Sequence, residues 1–124
     1  MRTGNTENQI RISAPAKINF FLELLGVRED GFHEIDTVMQ TVLLSDELSF
    51  RLRDDDALVM TCEMMGDGGQ PTEADDIPLG PKNLIVRAAQ AIREHASKMG
   101  TPGRSDRGLD IHLKKRIPSA AGLG

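Results

Sequence analysis

Leu48, Phe50 and Leu52 alternate with Ser49, Arg51 and Arg53. Successive side chains of a β-strand point to opposite faces, so this run dictates a strand with one face on a core and the other in water. The same period of two runs through the N-terminal half. A strand is expected from Ile10 onward, with Ile18, Phe20, Leu22 and Leu24 on one face and Lys17, Asn19, Phe21 and Glu23 on the other. Gly26 to Gly31 reads as a turn, and a second strand is expected from Glu34 to Leu44, broken at Ser45-Asp46. Asp54 to Asp56 reads as an acidic turn before a partner strand at Leu58 to Cys62, which together predict an antiparallel meander.

The period then changes. Residues Met64 to Lys82, rich in Gly and Pro, are expected to form a long surface loop, the most mobile part of the chain. Asn83 has the chemistry of a helix N-cap, and Leu84, Ala88, Ala91, Ile92, His95 and Met99 recur at helical spacing as one apolar stripe. Gly100, Pro102 and Gly103 end that helix. Leu109, Ile111 and Leu113 make a last strand running into Lys114, Lys115 and Arg116. The polar residues 1–9 read as a flexible terminus. Strands, one helix and a further strand predict an α+β domain, a mostly antiparallel sheet with the helix packed on one face.

The 124 residues suffice for one core and not for two. With 39% hydrophobic and 27% charged residues the chain is neither disordered nor a membrane protein in type, and its apolar runs are too short to span a bilayer. A single cysteine, Cys62, excludes an internal disulfide framework, reads as buried packing and fits a cytoplasmic location. A net charge of −4 argues against nucleic acid as a partner, because phosphate binding needs uncompensated Lys and Arg. His33, His95 and His112 show no metal-ligand spacing, so no metal ligands are assigned.

Pro118, Ser119, Ala120, Ala121, Gly122, Leu123 and Gly124 follow the last strand. Small residues let backbone N–H groups approach phosphate oxygens, although the Gly-Lys-Ser/Thr ending of a Walker loop is missing and an ordinary turn would look similar. Lys17 and Asn19, two apart on a strand, share a face that could equally be solvated. Phe32 and His33 follow a Gly-bearing turn, where a ring near solvent can stack on a base.

Taken together, the stretch Ala14 to Glu34, the helix start Asn83 to Ala88 and the segment Pro118 to Gly124 resemble the diphosphocytidyl-methylerythritol kinases, a branch of the GHMP small-molecule kinases. The resemblance implies a GHMP kinase N-terminal domain over residues 10–124 that ends inside its phosphate loop, with the C-terminal domain lying outside the chain. It implies transfer of the ATP γ-phosphate, with Mg²⁺, to the 2-hydroxyl of a cytidine-diphosphate-linked methylerythritol in non-mevalonate isoprenoid synthesis. Lys17 would act at the acceptor hydroxyl, and Asn19 would orient the sugar alcohol. Phe32 would stack on the cytosine, with His33 on the pyrimidine edge. Asn83, Lys115 and residues Pro118 to Gly124 would contact ATP, although Asn83 is sufficiently explained as a cap and Lys115 as part of a solvated strand end. The catalytic Asp and the metal ligands are expected beyond Gly124. The 124 residues alone are therefore expected to be inactive, and to self-associate through a sheet face meant for absent helices. A mevalonate- or homoserine-type kinase and an RNA-binding domain are the competing readings.

Overall fold

The computed structural model describes residues 3–6, 9–66, 71–72, 77–100 and 107–123. Its elements run β1 (Thr3–Thr6), β2 (Gln9–Val27), β3 (His33–Leu52), β4 (Leu58–Met65), β5 (Pro71–Thr72), α1 (Leu84–Lys98) and β6 (Leu109–Lys115). They form one sheet of order β1-β2-β3-β6-β4-β5. Every pairing is antiparallel except β4 with β6. The sheet is therefore mixed, with α1 as the crossover that a parallel pair requires. Part of the stretch predicted to be a flexible terminus is paired: Thr3 lies opposite Ile12. In the region read as a long loop, β4 continues to Met65 and residues 71–72 pair with its end, while 67–70 and 73–76 lie outside the described residues.

The predicted meander is not formed. Leu58 to Met64 pairs with Leu109 to Lys115, and β6 lies between β3 and β4. The 53–57 connection carries the chain across the start of β6, where the amides of Gly108 and Leu109 donate to the carbonyls of Asp55 and Ala57 at 2.6 and 2.9 Å. A Cβ on Gly108 would fall inside the Ala57 backbone, so only glycine fits this crossing.

The core lies between this half of the sheet and α1. Met60, Val86, Ile111 and Leu113 are its buried centre, with Leu48, Phe50, Leu58, Cys62, Ile85, Ala89 and Leu109 around them. The alternation read at Leu48 to Leu52 survives in part: Leu48 and Phe50 join the core and Arg51 and Arg53 bind Asp110, but Leu52 is exposed and Ser49 is buried. The helix starts and stops where expected, but its inward face differs. Val86 is buried and Ala89 half-buried, whereas Leu84, Ala88, Ala91, Ile92, His95 and Met99 are exposed. The helix has two apolar stripes, and the sheet takes the one through Val86 and Ala89, just after the buried cap Asn83.

Before Glu47, β3 pairs only with β2, so residues 17–27 and 33–41 make a two-stranded ribbon. No break occurs at Ser45-Asp46. Ala16 alone stands opposite Val42, Leu43 and Leu44, and β3 absorbs the extra residues as an irregularity. Further shifts at Phe20 and Leu25 each insert one β2 residue. A one-residue shift moves everything after it to the opposite face. Lys17 and Asn19 consequently share a face with Leu22 and Leu24, while Ile18, Phe21 and Glu23 share the other. The predicted division of faces therefore fails past Phe20. Most of the exposed apolar side chains are on this ribbon and the outer helix stripe, with Ile10, Leu52, Val59 and Leu79 elsewhere; the sheet face opposite α1 is mainly polar, carrying Arg51, Asp110, Thr61 and His112 beside Val59. No helix of the described residues is long and apolar enough to cross a membrane.

Candidate active site

A glycine-rich turn leaves the end of β6 and is tied down on both sides. At its start, Asp46 Oδ1 accepts the backbone N–H groups of Arg116 and Ile117 at 2.7 and 2.8 Å, and Asp46 Oδ2 receives the Lys115 ammonium at 3.0 Å. Ile117 is buried beside this clamp. At its far side, the Lys17 amide donates to the Leu123 carbonyl at 2.8 Å and Lys17 Nζ donates to the Gly122 carbonyl at 2.7 Å. The neighbouring Ala16 is fully buried at the root of the ribbon.

Between these ties the chain bends through two left-handed positions, Ala120 at φ 57° and Gly122 at φ 70°. Alternation of ordinary and left-handed residues turns successive N–H groups toward one side, the geometry of an anion nest. Among the described residues, none of the amides from Ser119 to Leu123 donates to a protein acceptor. Gly124 lies outside the described residues. The turn is thus a small-residue cradle with donors to spare and an ammonium group at its edge.

Phe32 and His33 sit at the other end of the ribbon. Gly31, at φ 83°, closes the turn; its N–H donates to the Arg28 carbonyl, and Asp30 accepts from the Phe32 amide at 3.1 Å. The Arg28–Asp30 ion pair at 2.8 Å braces it. The Phe32 ring stands 71% exposed, so it is not a core residue. Asn19 lies between, opposite Met39 and on the Lys17 face. Ten residues separate Lys17 from Val27, roughly 30 Å of straight strand. The shifts at Phe20 and Leu25 bend the ribbon between those ends.

Asn83 is used by the fold. Its Oδ1 accepts the Ile85 amide and its Nδ2 donates to the Pro78 carbonyl, both at 2.8 Å, in a buried setting. A nucleotide contact there would compete with one of these bonds. Lys115 likewise points to Asp46, and both side chains are largely buried, at 16% and 14% exposure.

Among the described residues no three His, Cys, Asp or Glu side chains come together, and Asp46 is already engaged by three donors. Hydrogen bonds from Arg53 hold the Asp55 carboxyl down at about 2, and Arg53 and Arg51 lower that of Asp110. Burial raises the Cys62 thiol. Asp46 is the site residue that sequence reasoning missed. Its one visible signal, an acidic residue interrupting an apolar run, also fits a strand break.

The chain is 45% identical over 114 residues to a 4-diphosphocytidyl-2-C-methyl-D-erythritol kinase of Synechococcus sp. (strain CC9605), an alignment covering 92% of this chain and 32% of that enzyme. It is 45% identical over 118 residues to the enzyme of the same name from Prochlorococcus marinus (strain MIT 9313), again over 32% of its length. The chain thus spans about a third of the curated relatives it matches. A crystal structure of 4-(cytidine 5'-diphospho)-2C-methyl-D-erythritol kinase superposes with a TM-score of 0.62 at 35% identity, over 92% of this chain and 34% of that one. A homoserine kinase from Cytophaga hutchinsonii shares the fold, with a TM-score of 0.55 at 22% identity over 99% of this chain and 32% of that one. No protein-family model matches the chain.

Proposed function

Kinship with the 4-diphosphocytidyl-2-C-methyl-D-erythritol kinases, over a third of their length, is the premise from which we propose that this chain carries the acceptor lysine, the cytidine-facing ribbon and the phosphate turn of such an enzyme. ATP is the phosphoryl donor and the 2-hydroxyl of the cytidine-linked methylerythritol the acceptor. One observation carries this reading: the Lys17 ammonium lies 2.7 Å from the Gly122 carbonyl, at the edge of a turn with free amides.

Phosphoryl transfer asks a protein for positioning and for compensation of charge on the transferring group. The turn's amides hold the phosphate oxygens of ATP. The Lys17 ammonium leaves its carbonyl partner to bridge the acceptor oxygen and the transferring phosphoryl group, favouring the charge that develops there. Asn19, on the same strand face, orients the sugar-alcohol portion. The bend of the ribbon brings Phe32 over the cytosine ring and His33 to its hydrogen-bonding edge. Mg²⁺, when bound, would supply compensation of phosphate charge, and none of the described residues is assigned to hold it.

The test has two arms. Replacing the aligned third of the Synechococcus enzyme by this chain's residues is expected to leave a working kinase, in which Lys17→Met lowers kcat by about a hundredfold or more while cytidine diphosphate still binds. Phe32→Ala is expected to weaken cytidine diphosphate binding by about 1–3 kcal/mol and to spare ATP. Wild-type behaviour of both variants overturns the assignment, and indifference of the parent chimera to cytidine nucleotides favours a homoserine-type acceptor.

A further inference from the structure

The turn's two ties differ in kind. On the Lys17 side the bonds go to carbonyl oxygens, and the ammonium can leave without disturbing β2. On the Asp46 side one carboxylate holds two consecutive backbone N–H groups and a lysine ammonium at once, at 2.7, 2.8 and 3.0 Å. Consecutive amides that converge on a single oxygen set the orientation of both peptide planes, and with them the direction in which the chain leaves β6. Asp46 and Lys115 are largely shielded from water, and Ile117 is buried behind them. A charge-assisted bond in such a place is about twice as strong as its neutral counterpart. The clamp spans 70 residues of sequence and joins the root of the ribbon to the root of the turn.

We infer that Asp46 is a positioning residue for the nucleotide: by gripping the Arg116 and Ile117 amides it aims the Pro118–Leu123 turn so that its free N–H groups converge on phosphate oxygens. The inference rests on the proposed kinase reading. Asp46 does not touch the nucleotide; its carboxylate would repel phosphate if the two met. Its three donors neutralise it and keep it behind the turn. The Asp46–Lys115 pair also accounts for a basic side chain beside a phosphate turn that does not point into it.

The experiment uses the full 124-residue chain, followed by NMR. In Asp46→Ala the Arg116 and Ile117 amides are expected to exchange with solvent at least tenfold faster. ATP, titrated against the Ser119–Leu123 amide signals, is expected to bind at least tenfold more weakly, and cytidine diphosphate within twofold of wild type. Asp46→Asn, nearly isosteric and still an acceptor, is expected to restore amide protection and most of the ATP affinity. A purely structural role would move both affinities together. Unchanged amide exchange in Asp46→Ala overturns the clamp, and faster exchange with unchanged ATP affinity overturns its role in positioning. A wild-type chain that binds cytidine diphosphate but not ATP overturns the inference alone. One that binds neither overturns the kinase reading and the inference with it.

Discussion

At the scale of single residues, the chain separates groups whose identity is dictated by the fold from those the fold leaves free. Asn83 belongs to the first class. Its carboxamide caps α1 and also satisfies the Pro78 carbonyl, so Asn83→Ala removes two bonds at a buried position. A loss of about 1–2 kcal/mol is expected in urea denaturation, whether or not ATP binds nearby. Ile111, 1% exposed at the centre of the core, is the clearest packing residue, and Ile111→Ala is expected to cost about 2–5 kcal/mol by the same measurement. Lys17, Phe32 and the glycine-rich turn were legible as candidates only together, through the resemblance, because a lysine on a strand, a ring after a turn and a run of small residues are each ordinary when taken alone. Asp46 was not legible. An aspartate in an apolar run reads as punctuation unless its distant partners are known, and those partners lie 69 to 71 residues away.

At the scale of elements, period and caps were sound guides and pairing was not. The helix from Leu84 to Lys98 and the strand from Leu109 to Lys115 stand where periodicity put them. Which strand lies beside β4 was decided by the crossing of the 53–57 connection over Gly108. Gly108→Ala tests that crossing: the added methyl meets backbone and not a flexible side chain, so at least about 1–3 kcal/mol should be lost. Circular dichroism and urea unfolding measure it, and a neutral outcome would mean that the connection can move aside. The ribbon teaches the same point about faces. Alternation predicts which residues share a side only while the register holds, and the shift at Phe20 reverses it within four residues of Lys17.

At the scale of the whole molecule, two features shape behaviour in solution. The first is the ionic cluster of Arg51, Arg53, Asp55 and Asp110, which ties β3, the 53–57 connection and β6 together. The folded state holds the Asp55 and Asp110 carboxyls below their ordinary value of 3.8. A depressed carboxyl stabilises the fold fully above its unfolded pKa and loses that contribution as pH falls through the folded one. Stability is therefore expected to fall between pH values of about 4 and 2. Arg53→Met should lower the melting temperature at pH 7 and shrink this acid limb, with the two proteins converging near pH 2. The second feature is apolar surface on the ribbon and the outer helix stripe, including Phe20, Leu24, Val27, Leu43, Leu84 and Ile92. Patches of this kind mark contact surfaces. The isolated chain is expected to self-associate, with light scattering reporting a mass that rises with concentration, and to show no ATP-dependent product by itself, because it spans only a third of its catalytic relatives.

The amino-acid sequence by itself determined the local chemistry: which stretches extend or coil, where the helix is capped, and where a turn closes. These follow from side-chain period and backbone preference, which act between near neighbours. Only the tertiary structure decided that β6 enters between β3 and β4, that bulges redistribute the ribbon's faces, and that Asp46 grips the turn. Each of these depends on the relative placement of segments far apart in the chain, and no property of either segment alone contains it.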